Sequence, residues 1–108
     1  MNQITVVARV KVRPGKMDEL EPQIVQLMEH THREDGCLHY SVHRGIDPAD
    51  ELVTIERWEE RRCLDEHMKM PFLQDLLARI PEYIFDKPEI HVFRQSEGGD
   101  PGLARIEH

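Results

Sequence analysis

The sequence has no run approaching the roughly 18 apolar residues of a membrane span. It has no excess of positive charge: 14 Lys and Arg stand against 21 Asp and Glu, a net charge of −7. That balance argues against non-specific nucleic-acid binding, which rests on basic contacts to phosphates. It argues equally against an anionic membrane surface. The two cysteines, Cys37 and Cys63, make neither a disulfide framework nor a metal motif. No basic segment followed by an apolar run opens the chain at Met-Asn-Gln-Ile-Thr, so no signal peptide is expected. These absences together predict a soluble cytoplasmic protein with no nucleic-acid and no membrane partner. Its thiols would be reduced.

A dedicated metal site is not expected either. His39 and His43 are four residues apart on a strand, which at about 3.3 Å per residue separates them by about 13 Å, too far to share one metal. His30 and His32, two apart on a helix, point in different directions. No Gly-rich phosphate loop or basic cluster is present, which disfavours a phosphorylated substrate.

What remains is a chain of 108 residues, enough for one domain and too few for a separate cofactor domain. Ile4 to Val12 alternates, with Ile4, Val6, Ala8, Val10 and Val12 on one face, and reads as a half-buried strand. Pro14-Gly15 breaks it. From Met17 to about Arg33, Leu20, Ile24, Leu27, Met28 and Thr31 form one helical stripe. Pro22 lies early in that helix, where a missing N–H is tolerated.

Cys37 to Gly45 alternates again, with Leu38, Tyr40 and Val42 against Cys37, His39, Ser41 and His43. After the turn Asp47-Pro48-Ala49-Asp50, Leu52 to Trp58 forms a third strand, and the two read as a hairpin. Leu52, Thr54, Glu56 and Trp58 share one face. Glu59 to Lys69 is a second helix with Leu64, His67 and Met68 on its apolar stripe. Phe72 to about Ile80 continues as another helical stretch after Pro71. Glu89 to Gln95 is the fourth strand.

The expected division is a folded domain over 1–95 and a flexible tail or arm over 96–108. Strand, helix, strand, strand, helix, strand is an α+β, ferredoxin-like βαββαβ order, with helices on one face of an antiparallel sheet. Val7, Val53 and Ile55 occur on the opposite parity. A second copy of the chain is the economical cover for that face, so a homodimer is expected.

Three motifs in this order resemble a known family. Glu34-Asp35-Gly36-Cys37 with Tyr40 resembles a Glu-x-Gly-Cys-x-x-Tyr strand opening. Glu56-Arg57-Trp58-Glu59 with His67 resembles its Glu-x-Trp segment followed by a helix histidine. Pro14-Gly15-Lys16 after the first strand matches as well. These are marks of the antibiotic biosynthesis monooxygenase (ABM) domain family, and the resemblance covers about residues 3 to 95.

It implies a dimeric α+β barrel with a pocket between sheet and helices in each subunit. It also implies a cofactor-independent monooxygenase acting on a small aromatic substrate of quinol or anthrone type. A non-catalytic small-ligand-binding or dimerisation module and an isomerase are the alternatives. Haem-degrading relatives carry an asparagine, a tryptophan and a histidine where this chain has Ala8, His67 and Leu77, so a haem is not expected. Many quinol-oxidase-like relatives carry a second histidine where this chain has Phe72 in Met70-Pro71-Phe72, which predicts a more apolar pocket.

By this resemblance His67 is the candidate base, able to accept a phenolic or enolic proton. The substrate anion would then pass an electron to dioxygen, with no flavin or metal. Glu56 could orient His67 or take a proton. Trp58 could stack on a flat substrate ring or serve as core. Tyr40 could hydrogen-bond a substrate oxygen, and parity alone leaves open whether it faces pocket or dimer barrel.

Overall fold

A computed structural model describes residues 2–104. Its elements are β1 (Ile4–Val12), α1 (Met17–Thr31), β2 (Cys37–Arg44), β3 (Glu51–Trp58), α2 (Arg61–His67), α3 (Pro71–Arg79), a 3-10 turn (Ile80–Glu82), β4 (Ile84–Phe93) and α4 (Pro101–Ala104). The strands form one antiparallel sheet in the order β2-β3-β1-β4. This is the α+β ferredoxin-like arrangement expected from the order of elements.

Alternation sets the layers. On β1, Ile4, Val6, Val10 and Val12 are buried; on β3, Leu52, Thr54, Glu56 and Trp58 are. α1 covers this face with Leu20, Ile24, Leu27 and Thr31, and the Thr31 hydroxyl donates to the Leu27 carbonyl at 2.8 Å. Asp18 and Glu19 occupy the first turn of α1, where negative charge is favourable. Pro22 is accommodated inside the helix. Pro71 opens α3 at its first turn, where the missing N–H leaves no bond unmade. Among the described residues no helix is long and apolar enough to cross a membrane.

Two strands depart from simple alternation. In β2, Cys37 pairs with Trp58 while His39 pairs with Arg57. One residue, Leu38, is therefore extra, a bulge. It places Cys37 on the helix-covered face beside Trp58, whereas the sequence pattern put Cys37 on the opposite face with His39.

In β4, Phe85 pairs with Lys11 and Glu89 with Arg9. Asp86, Lys87 and Pro88 thus face the single residue Val10, and Asp86 adopts a positive φ of 56°. Because Asp-Lys-Pro interrupts the period, the sequence pattern starts this strand at Glu89; the structure starts it at Ile84 and ends it at Phe93.

In the segment expected to be a tail, Pro101–Ala104 forms a short helix, and the Gln95 side-chain amide donates to the Ala104 carbonyl. Of that segment, residues 105–108 lie outside the described residues.

Candidate functional site

A cavity of about 80 Å³ lies between the sheet and the helices. Its walls are apolar: Val6, Ala8, Val10 and Leu52 from the sheet, Ile24 and Leu27 from α1, Leu73, Leu76 and Leu77 from α3. Pro88 and Ile90 of β4 complete it, and Ile90 is 44% exposed, marking the open side. Pro88 stands two residues before Ile90 and so shares its face of the strand.

The polar lining groups are Tyr40, Thr54, Glu56 and His67. They come from three elements. Tyr40 on β2 is directly opposite Glu56 on β3, so both point to the same face. Thr54 precedes Glu56 by one strand period. His67 ends α2, whose Cys63, Leu64 and His67 form its buried side. Tyr40, Thr54, Glu56 and His67 are all buried, and His67 is 3% exposed.

The hydrogen bonds divide the site in two. Glu56 accepts from the Thr54 hydroxyl on Oε2 and from the Trp58 indole N–H on Oε1, each at 2.9 Å. His67 is tied elsewhere: its Nδ1 lies 2.9 Å from Oε1 of Glu34. The side-chain hydrogen bond to the His67 ring, which the sequence suggested for Glu56, is made by Glu34. Glu34 went unassigned because it and His67 are 33 residues apart, and no periodicity links a turn residue to a helix end. Thr54 was also missed, although its place on the Glu56 face signalled it.

Trp58 is fully buried and does not line the cavity. Its ring lies behind His67, centroids 4.8 Å apart, in the cluster with Ile4, Val6 and Leu64. It therefore backs the imidazole instead of offering a face to a ligand. Tyr40 also approaches His67, with ring centroids 6.0 Å apart and planes tilted by 60°. The parity question for Tyr40 is thus answered: it faces the cavity. Phe72 is not a lining residue either. It stacks on His30 at 3.9 Å, because the start of α3 faces α1, so the more apolar pocket expected from Phe72 does not arise at this position.

Burial raises the Glu56 pKa above its ordinary 4.5; the Trp58 hydrogen bond, the charge of His67 and the Thr54 hydrogen bond counter this in part. Burial, then the charge of Glu56, pushes the Tyr40 hydroxyl up. The Cys37 thiol is pushed up to about 11 by burial, then by the charges of Glu34 and Glu56.

On the opposite sheet face, His39 and His43 converge. Their Nε2 atoms lie 2.8 and 2.7 Å from the Ser41 hydroxyl oxygen. The backbone spacing that separated them in the sequence is overcome by two rings leaning toward each other. Among the described residues no group of three or more His, Cys, Asp or Glu could hold a metal ion.

The comparisons with known proteins agree with this architecture. The family model described as antibiotic biosynthesis monooxygenase matches residues 3–79, and the chain belongs to that family. It is 32% identical over 81 residues to the Mycobacterium tuberculosis protein named "Putative monooxygenase Rv0793", covering 75% of this chain and 79% of that protein. It is 26% identical over 94 residues to the uncharacterized protein sll1783 of Synechocystis, covering 87% of this chain. There it spans 64% of the relative, just under two thirds of its length. Among solved structures, a conserved protein from Methanosarcina mazei Go1 superposes with a TM-score of 0.83 at 28% identity, covering 89% of this chain and 95% of that one.

Proposed function

We propose that this chain is a monooxygenase that uses no cofactor of its own and acts on a small, electron-rich aromatic of quinol or anthrone type. The observation that carries the reading is a buried histidine on the wall of an otherwise apolar cavity, with Tyr40, Thr54 and Glu56 as the other polar lining groups. Family membership supports the oxygenase chemistry.

His67 is the base. It takes a proton from an acidic O–H or C–H of the substrate, and the resulting anion gives an electron to dioxygen. Recombination forms a carbon–oxygen bond to a peroxide, the proton returns, and loss of water leaves a carbonyl. Tyr40 and Glu56 contact the substrate oxygen, and Trp58 supports His67 from behind. The working unit is residues 1–95, with 96–108 as an appendage. Two copies pair through the outer sheet face, where Val7, Val53 and Ile55 are only half-buried and Phe93 is 51% exposed.

Oxygen uptake with a panel of hydroquinones and anthrones, in protein freed of metal and flavin, tests this. Uptake that is lost in His67→Ala supports it. No uptake across the panel overturns it.

A second reading, a non-catalytic ligand-binding or dimerisation module, is favoured by the size of the cavity. The cavity of about 80 Å³ is smaller than the roughly 150 Å³ that houses a benzene ring. Thermal stabilisation by a ligand that is never turned over would select that reading.

A further inference from the structure

The motif Glu34-Asp35-Gly36-Cys37 helped to identify the family, yet the reaction above gives it no task. In the structure it is a turn docked on α2 at two points. The turn is closed by the Glu34 N–H on the Thr31 carbonyl at 3.0 Å and the Cys37 N–H on the Glu34 carbonyl at 3.3 Å. Gly36 has a φ of +79°, a conformation that L side chains rarely adopt. A Cβ there would collide with Cys63 Sγ and lie 2.8 Å from Cys63 Cβ. The Gly36 carbonyl also accepts from the Glu59 N–H at 2.8 Å, tying the turn to the end of β3.

The second point is Glu34 on His67. Cys63 and His67 are four residues apart on α2, hence one above the other on the same helix face. The turn therefore contacts one face of α2 over a full helical turn. The Gly36–Cys63 contact sets how closely the Glu34 carboxylate approaches the imidazole. Glu34 is 11% exposed, so water competes little for that bond.

An ionised carboxylate only accepts hydrogen bonds, so the partner nitrogen must carry the proton. Which nitrogen of a neutral imidazole is protonated is set by the bond the other one makes. We propose that Glu34 is a positioning residue: it holds the neutral ring of His67 as the Nδ1–H tautomer, leaving Nε2 toward the cavity as a proton acceptor, with glycine at position 36 keying the turn to α2. The catalytic consequence rests on His67 being the base; the tautomer does not. An imidazole held this way selects a ligand that donates a hydrogen bond, a phenol or enol O–H, over the corresponding ether.

The test is ¹⁵N NMR of the full-length protein labelled at histidine, read under conditions where the His67 ring is neutral. Wild-type protein should show the proton on Nδ1 and an unprotonated Nε2. Glu34→Gln, whose amide oxygen still accepts, should keep that tautomer in the majority. Glu34→Ala should shift the majority of the population to Nε2–H, and Gly36→Ala should do the same with both ring partners intact.

A proton on Nε2 in the wild type overturns the proposal without recourse to any variant, and so does an unchanged tautomer in folded Glu34→Ala. A merely structural Glu34 would lower stability without reversing the tautomer. Absence of oxygen uptake would remove the base role of His67 and leave the tautomer result standing.

Discussion

Trp58 donates its indole N–H to Oε1 of Glu56 at 2.9 Å, two residues back on the same face of β3, with both side chains buried. A carboxylate is thereby placed in the core with hydrogen bonds on both oxygens, the second from Thr54. These bonds do not fully offset its burial, since its pKa remains above the ordinary 4.5. The folded state thus holds this proton more tightly than the unfolded one. Stability from the neutral form is fully present below about pH 4.5 and is lost as pH rises through the folded value. Glu56→Gln should therefore unfold at a higher temperature than the wild type at pH 8. The difference should vanish near pH 4, as followed by circular dichroism.

Removing the indole donor acts in the opposite direction. Trp58→Phe leaves Glu56 Oε1 without its partner, at a cost of about 1–3 kcal/mol for an unsatisfied buried group, and the lost indole volume adds to it. Urea unfolding should show this loss, growing as pH rises because an ionised Glu56 needs the donor most.

The cavity can be closed without touching the polar residues. Ala8 lines it from the middle of β1. Ala8→Leu adds apolar volume there, and each newly buried methylene is worth about 0.8 kcal/mol before any crowding is subtracted. Thermal unfolding should leave the midpoint within a few degrees of the wild type, while oxygen uptake falls at least tenfold. A variant that keeps full activity would place the reaction outside this cavity.

Cys37 belongs to the same electrostatic neighbourhood, and its thiol is raised to about 11. Since the thiolate is the reactive form, alkylation by iodoacetamide at pH 8 should be on the order of a hundredfold slower than for a small free thiol. Peptide mass spectrometry of timed samples measures this. Glu34→Gln, which removes one of the two charges, should speed it.

The outer sheet face offers the assembly test. Ile55 pairs with Val7 on one side and Ser41 on the other, at the centre of that face. Ile55→Lys should convert a species of twice 12.7 kDa into one of 12.7 kDa in light scattering, with the circular dichroism spectrum retained.

The sequence made β1, α1 and β3 legible because each has an uninterrupted period, and Leu52, Thr54, Glu56 and Trp58 were placed on one face by it. Strand parity and helix phase brought Glu56 and His67 to one side of the sheet, whereas parity left open that Tyr40 joins them. What escaped were relations that no period encodes. The docking of the 34–37 turn on α2 is a tertiary contact made by a glycine and a carboxylate. The place of Trp58 behind His67, and of Phe72 against His30, depends on how a helix end sits over the sheet. The first half of β4 was hidden because Asp86-Lys87-Pro88 breaks the alternation, and in the structure Asp86 has a positive φ there.

The two strand irregularities differ in a way that arithmetic makes plain. β2 carries one residue more than its partner between Cys37 and His39, an odd insertion, and an odd insertion exchanges inside for outside. Cys37 is consequently turned under the helices while His39 stays outside. β4 advances four residues, Phe85 to Glu89, where β1 advances two, Arg9 to Lys11. The surplus is even, so Ile84, before the irregularity, and Ile90, after it, remain on the same side. Deleting Lys87 alone would leave one surplus residue, a bulge like that of β2, with Ile90 still opposite Ala8 and facing the cavity. Deleting Asp86 and Lys87 together would keep the phase. The chemistry of this wall is thus set by the pairing of Ile84 with Val12 and of Ile90 with Ala8, and the surplus residues between them are absorbed without disturbing it.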